Sequence, residues 1–301
     1  MGRYVIRRLL QLIPVFFGTT FIIYVLVWKV PGDPFAAKCG ERPCPQSYID
    51  VMTEKFNLND PVIVQYGKYL WNLLHGDFGT NFAGQSVADQ LLRTYPTTVK
   101  LAVFALIIEA LIGIFAGVVT GLRRGGYLDN LVLVSTLLLI SLPVFVTGYI
   151  MRDLIGPHVL PLLGIKVGSV STGAPLPELL FPALVLGSLS MAYIARLTRS
   201  SVAENRRADY VRTAIAKGLP GRRVAGIHLL RNSLIPVVTF LGTDLGVLMG
   251  GAIVTEGIFN IDGVGNLVFR SIVLKQGATV VGVVTVLVLV YLVMNLLVDL
   301  I

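Results

Sequence analysis

Long runs of apolar residues alternate with short polar segments along this chain. Residues 9–28 carry no charge, and residues 101–122 carry one, Glu109. The later runs are 130–151, 179–195, 232–255 (which contains Asp244) and 276–298. Because about 20 apolar residues are enough for an α-helix to cross a bilayer, the pattern predicts an all-α integral membrane protein with six transmembrane helices.

The composition agrees with a membrane protein. Of the 301 residues, 54% are hydrophobic and only 14% are charged, whereas soluble domains carry about 25% charged residues. The formal net charge of +8 would suggest nucleic-acid binding in a soluble protein. Here the basic residues cluster beside the predicted helices, so we expect a lipid membrane as the partner and no nucleic acid.

The distribution of charge also predicts the orientation. Residues 196–231 hold nine Lys or Arg and two acids, whereas residues 31–95 hold five basic and seven acidic residues. Basic loops of membrane proteins stay in the cytoplasm. We therefore expect a multi-pass protein of the bacterial cytoplasmic membrane with both termini in the cytoplasm. The first apolar run should be retained, since no small-residue cleavage site of a signal peptide follows it.

This pattern divides the chain into three parts. Residues 1–30 form a cytoplasmic tip and the first span, residues 31–96 form a small extracytoplasmic segment, and residues 97–301 form a core of five spans. Within the middle part, Asp60 and Pro61 predict the N-cap and first position of a short amphipathic helix along the outer surface. In the third apolar run, Pro143 predicts a kink.

Both cysteines of the chain, Cys39 and Cys44, fall in the extracytoplasmic segment. Compartments outside the cytoplasm permit disulfides, so a bonded pair is favoured over two free thiols. We expect no metal site here, because no histidine lies nearby.

The loop 204–236 between the fourth and fifth runs contains a complete helix-stop signal. Asp209 can cap the start of a helix, Lys217 would lie in its last turn and Gly218 at the left-handed position after it. No helix can continue through Pro220. A second helical stretch begins just after it, so the loop should be a rigid projection. The alternative is a basic loop that only fixes the topology.

Several motifs together resemble the dipeptide and oligopeptide permease family of ABC importers. YVRTAIAKGL (210–219) is similar to the EAA loop of that family, with Arg212 and Thr213 in place of the signature Glu and first Ala. PGDP (31–34), DPVIVQY (60–66), GDFG (76–79) and EGIFNIDGVGNLV (256–268) resemble further family elements, with Asp262 in place of the usual proline. The resemblance covers nearly the whole chain and implies a type I ABC importer permease fold.

The resemblance also implies a function and partners. The chain would be the permease subunit of an ATP-driven importer of short peptides. It would pair with a homologous second permease, two cytoplasmic ATPase subunits and an extracytoplasmic substrate-binding protein, and ATP and Mg would be held by the ATPases. The loop would dock the ATPase through Asp209, Tyr210, Ala214, Lys217, Gly218, Leu219, Pro220, Arg222 and Arg223.

The sequence contains no recognisable catalytic centre, so we expect no enzyme activity and no cofactor in this chain. The P-loop pattern G-x-x-x-x-G-K-[ST] does not occur. The three histidines, His75, His158 and His228, fall in different loops, which argues against a metal cluster or a catalytic triad.

Asp244, Glu109 and Glu256 are candidates for a translocation path. A charge in the middle of a span costs about 2.5–3.5 kcal/mol on insertion scales. Asp244 should therefore face a water-filled path, which we favour, or hydrogen-bond to a neighbouring helix, unless the span boundaries are misplaced. Glu109 has more ways to serve a structural role. Glu256 lies at the outer end of the fifth run, where interfacial solvation alone could explain it.

Two kinds of alternative are open. Within the same class, the cargo could be a nickel complex, glutathione, haem or an oligosaccharide. In another class, a proton-coupled carrier could use Asp244 and Glu109, but such carriers show inverted repeats and unwound spans. An intramembrane enzyme would need a nucleophile and a base. We favour the ABC importer permease.

If Cys39 and Cys44 are bonded outside the cytoplasm, a membrane-impermeant thiol reagent should label neither in intact cells until a reductant is added. Labelling of both without reduction would contradict the disulfide. Absence of labelling after reduction would favour burial of the cysteines or their placement in the cytoplasm.

Overall fold

The computed structural model describes residues 2–29, 44–164 and 175–300. Within these ranges the regular structure is helical, apart from an isolated bridge between Thr80 and Ser86. Cys44 is buried and disulfide-bonded. Its predicted partner Cys39 lies outside the described residues, as does the PGDP motif, so the Cys39–Cys44 pairing stays a prediction.

Three unbroken helices are long and apolar enough to cross a membrane. We call Gly2–Lys29 the first span, Val87–Leu122 the second span and Gly277–Leu300 the sixth span. Three further pairs of helices reach this length only together. They are the third span, Tyr127–Ser141 with Val144–Val159; the fourth span, Leu176–Leu186 with Ser188–Asn205; and the fifth span, Gly221–Ser233 with Ile235–Gly250. By length and composition, the described residues therefore contain three helices that could cross a membrane, or up to six spans if each bent pair is counted as one.

Shorter helices connect the spans. They are Gln46–Lys55, Val62–Leu74, Asp209–Ala216, Ile253–Phe259 and Val264–Val273. We call the end of the bundle that holds residues 204–236 the loop end. The helices Gln46–Lys55 and Val62–Leu74 lie at the opposite end, before the second span.

The breaks within the bent spans are sharper than the kink predicted at Pro143. The third span turns by 103° there, because Pro143 has an extended backbone (φ −58°, ψ 140°) and starts a new helix. The fourth span turns by 64° at Gly187, and the fifth turns by 46° at Leu234. Pro143, Gly187 and Leu234 each lie inside one of the apolar runs of the sequence, so such a run does not reveal where the break falls.

The second span begins earlier than predicted. Its first residue is Val87, whereas residues up to 96 were predicted to belong to the extracytoplasmic segment. Ser86 caps the helix by accepting a hydrogen bond from the Asp89 N–H (3.4 Å). The last part of the predicted extracytoplasmic segment is therefore continuous with the second span.

The helix Val62–Leu74 packs against the bundle instead of lying only along its surface. The Tyr66 hydroxyl lies 2.6 Å from Thr20 Oγ1 of the first span. Tyr69 donates to Thr285 Oγ1 of the sixth span (2.7 Å), and burial raises the pKa of the Tyr69 hydroxyl to about 12. An amphipathic helix was correctly predicted here, but its partner is protein.

The predicted N-cap of this helix is wrong by one residue. Pro61 has an extended backbone (φ −55°, ψ 141°) and is the N-cap, so the helix starts at Val62. Asp60 instead accepts a hydrogen bond from Lys68 (2.6 Å). The acid therefore fixes the helix from the side rather than from its end.

The second and fourth spans touch along a row of glycines. Contacts run between Gly113 and Ile194, between Gly117 and Thr198, and between Gly121 and Val202. A Cβ atom on Gly117 would lie 2.6 Å from the backbone oxygen of Ala195, which leaves no room for it. Small residues allow such close packing, and close packing drives helix association in membranes.

A buried ion pair closes the same interface at the loop end. Asp129 accepts hydrogen bonds from Arg199 Nη2 (2.8 Å) and from the Gly125 N–H (2.8 Å). It thereby ties the turn between the second and third spans to the fourth span. Its charge is compensated by Arg199, as a charge in a membrane protein generally requires.

The first and sixth spans pack against each other and run antiparallel. Arg8 lies 3.2 Å from Asp299 at one end, and Tyr24 packs with Val281 towards the other. The beginning of the first span and the end of the sixth therefore lie at the same end of the bundle.

We expect Gly117→Ala to lower the thermal stability of the purified protein, because the added methyl group would push two backbones apart. Overpacking of this kind costs about 1–3 kcal/mol. Gly18→Ala is the matched control, since Gly18 lies within the first span and has no atom within 4 Å of its Cβ position. Alanine is the better helix former by about 1 kcal/mol, so this control should unfold at the same or a higher temperature. Equal midpoints for both variants would contradict the close contact.

Candidate functional site

The helix Asp209–Ala216, which we call the loop helix, ends in a left-handed cap. Gly218 has φ +75°. Its N–H donates to the Ile215 carbonyl (2.9 Å), and the Leu219 N–H donates to the Ala214 carbonyl (3.3 Å). This pair of hydrogen bonds is the Schellman motif. The helix stop predicted at Gly218 is confirmed.

The start of the loop helix differs from the prediction. Ala208 has the extended backbone of an N-cap (φ −68°, ψ 147°), and Asp209 is the first helical residue. The predicted N-cap role of Asp209 is therefore wrong. Its side chain is 98% exposed and lies 3.8 Å from Arg212. An acid in the first turn still interacts favourably with the helix dipole.

One face of the loop helix is buried against the bundle. Val211 and Ala214 are buried and belong to a small apolar core with Val202 of the fourth span. Val224 and Leu229, from the helical stretch after Pro220, complete this core. Ala214, one of the predicted docking residues, therefore anchors the loop helix and does not reach its surface.

The opposite face of the loop helix is exposed. It presents Ile215, which is 61% exposed, between basic residues that sequence analysis had singled out. The exposed basic residues are Arg212, Lys217, Arg222 and Arg223. Tyr210 and Pro220 are also exposed, and Leu219 is half-buried. Ile215 is not among the predicted docking residues, although its spacing of three from Arg212 places both on one helix face.

Positive charge surrounds this surface. A hollow of about 290 Å³ beside the loop helix is lined by Gly121, Arg124, Ala203, Arg206, Arg207 and Arg212. Arg206 also donates to the Leu122 carbonyl at the end of the second span (2.7 Å). The loop end is thus suited to contact an acidic surface.

Glu256 has a structural role at the opposite end of the bundle. It is fully buried, and it accepts hydrogen bonds from Thr98 Oγ1 (2.6 Å) and from the Asn266 N–H (3.0 Å). Thr98 Oγ1 in turn accepts from the Val264 N–H (2.9 Å). Both N–H groups belong to the first turn of Val264–Val273, so Glu256 and Thr98 together cap that helix. Interfacial solvation does not explain a carboxylate that is buried.

The other two candidate acids meet in the middle of the bundle. Glu109 of the second span is fully buried, and Asp244 of the fifth span is 6% exposed. Their carboxyl groups lie close enough to interact with each other. Ser190 of the fourth span donates to Asp244 Oδ1 (3.0 Å), so Asp244 forms the helix–helix hydrogen bond that sequence analysis considered. No sequence pattern connected Glu109 with Asp244.

A bundle of bent and straight apolar helices with a rigid polar projection defines a multi-pass membrane protein. Residues 111–301 match the family model of the binding-protein-dependent transport system inner membrane component. Residues 1–102 match the model of the N-terminal region of such membrane components. The chain belongs to this family of inner-membrane transport components.

Curated relatives of this chain carry permease names. The dipeptide transport system permease protein DppB of Alkalihalophilus pseudofirmus is 33% identical and covers 100% of this chain and 97% of its own length. The di/tripeptide transport system permease protein DppB of Pseudomonas aeruginosa is 36% identical, over 90% of this chain and 88% of its own. The dipeptide permease DppB of Escherichia coli is 33% identical, over 100% and 96%.

Proposed function

We propose that this chain is the membrane-spanning subunit of an ATP-driven ABC importer that carries short peptides into the bacterial cytoplasm. The observation that carries the proposal is the similarity to dipeptide and di/tripeptide permeases along nearly the full length of both chains. The loop end is cytoplasmic in this proposal, and both termini lie on that side.

The complex contains further subunits. The chain pairs with a homologous second permease, two cytoplasmic ATPase subunits bind ATP and Mg, and an extracytoplasmic binding protein delivers the peptide. The exposed face of the loop helix, with Ile215 and its basic neighbours, is the docking surface for the ATPase. Because Val211 and Ala214 fix this helix to the second and fourth spans, movement of the ATPase is transmitted into the bundle.

The translocation path passes Asp244 and Glu109. A peptide carries an ammonium group, and acids along its path compensate that charge. Glu256 supports the path only indirectly. Its carboxylate accepts hydrogen bonds from Thr98 and Asn266, and these bonds stabilise the opposite end of the bundle. The division into residues 1–30, 31–96 and a permease core 97–301 belongs to the same proposal.

We expect Gly218→Val to leave the protein inserted but to abolish co-purification of the ATPase subunits and peptide uptake. A side chain at positive φ costs about 1–2 kcal/mol, and valine is further restricted at χ1. No atom lies within 4 Å of the Gly218 Cβ position, so the effect comes from the backbone, which would turn Leu219 and Pro220 away from the docking geometry. Gly218→Ala should be intermediate.

Gly218→Asn is the matched control, because asparagine tolerates the left-handed conformation and also adds a side chain. It should retain the ATPase subunits. If Gly218→Val retains them at the wild-type level and takes up peptide normally, the loop is not the coupling element.

Uptake of a labelled dipeptide into proteoliposomes tests the function. The chain is reconstituted with the second permease, the ATPase subunits and the binding protein of the same transporter. We expect uptake that requires ATP and the binding protein and that is competed by di- and tripeptides. Competition by nickel complexes, glutathione, haem or oligosaccharides alone would reassign the cargo. Uptake driven by a pH gradient without ATP would favour a proton-coupled carrier.

In the same assay, Asp244→Asn should reduce uptake without loss of assembly if Asp244 lines the path.

A further inference from the structure

The carboxyl groups of Glu109 and Asp244 are buried, adjacent and short of hydrogen-bond donors. Ser190 supplies one donor, to Asp244 Oδ1. Both Glu109 carboxyl oxygens and Asp244 Oδ2 are buried and have no partner among the described residues. Buried polar atoms are almost always hydrogen-bonded, so three unpaired oxygens at one place indicate a missing donor.

The basic side chains described on the surrounding helices do not compensate this pair. Arg199 of the fourth span binds Asp129, and Arg196 is exposed. On the sixth span, Asp299 pairs with Arg8. Two tyrosines of the packed spans have other neighbours: the Tyr193 ring packs against the Phe240 ring, and the Tyr291 ring lies beside Gly246.

The space between Glu109 and the fourth span is also filled. A Cβ atom on Gly187, at the break of the fourth span, would lie 2.9 Å from Glu109 Oε2. The backbone of the fourth span thus packs directly on the carboxyl group. A proton needs no additional space, whereas a metal ion or an ammonium group does.

We propose that Glu109 and Asp244 bind one proton between them, so that the pair carries a single negative charge. Two adjacent carboxylates in a site of low dielectric constant cannot both be ionised. A protonated carboxyl group has the O–H that this site lacks. Because Ser190 stabilises the carboxylate of Asp244, the proton resides on Glu109.

The proton links the packing of the second, fourth and fifth spans to pH. Separation of these spans into a water-filled path would hydrate Glu109 and allow it to release the proton. The packed arrangement binds a proton that the separated one loses, so falling pH favours packing and rising pH favours separation. This link between pH and the separation of the spans rests on the proposed function. The inference that the pair binds one proton does not.

Infrared spectroscopy of the purified full chain in lipid nanodiscs tests the inference directly. A protonated carboxyl group has a C=O stretch that is separate from the carboxylate bands and shifts in D₂O. We expect this band at neutral pH in the wild-type protein, its loss in Glu109→Gln, and its retention in Asp129→Asn. Asp129 is the matched control because it is buried but already paired with a cation.

Two further measurements keep the test decisive if Glu109→Gln does not fold. In Ser190→Ala the band should move in frequency without disappearing, because Asp244 loses its donor. In the wild-type protein the band should vanish as the pH becomes alkaline. Absence of the band at neutral pH, or its persistence in Glu109→Gln, would overturn the inference. Normal uptake by Asp244→Asn would show that Asp244 does not line the translocation path. It would not contradict the inference that the pair binds a proton.

Discussion

The close contact between the second and fourth spans sets the position of every other functional group. Three glycines let the two backbones touch, and this contact places Glu109 against the break at Gly187. At the loop end it brings Val202 beside Val118 and Leu122, which forms the surface on which the loop helix packs. Without the glycines, neither the acid pair nor the apolar core under the loop helix would keep its geometry.

Much of the fold could be predicted because it follows from local composition. Uncharged runs identify the spans, since charge in a bilayer is costly. The cap at Gly218 was predictable because a left-handed residue after a helix favours glycine and the following Pro220 prevents continuation. The family was also accessible from sequence, because its motifs are spread from the PGDP element to the 256–268 element.

The remainder depends on contacts between residues that are far apart in sequence. The partner of Asp129 is Arg199, and Thr98 approaches Glu256 across 158 positions; no local pattern signals either contact. The same limit applies to Glu109 and Asp244. The N-caps at Pro61 and Ala208 were missed for a different reason: an acid before a helix looks like a cap, whereas the actual cap is decided by which residue has the extended backbone.

The antiparallel packing of the first span on the sixth has a consequence for biosynthesis. The first span leaves the ribosome well before its main partner, the sixth span, has been made, and the paired residues Arg8 and Asp299 lie near opposite ends of the sequence. Contacts so distant in sequence form late. Until then, Arg8 and the tyrosines of the first span must be accommodated by lipid or by the insertion machinery. The contact between the first and sixth spans is therefore the last to form. A nascent chain shortened before the sixth span would lack this contact and leave one face of the first span without its partner.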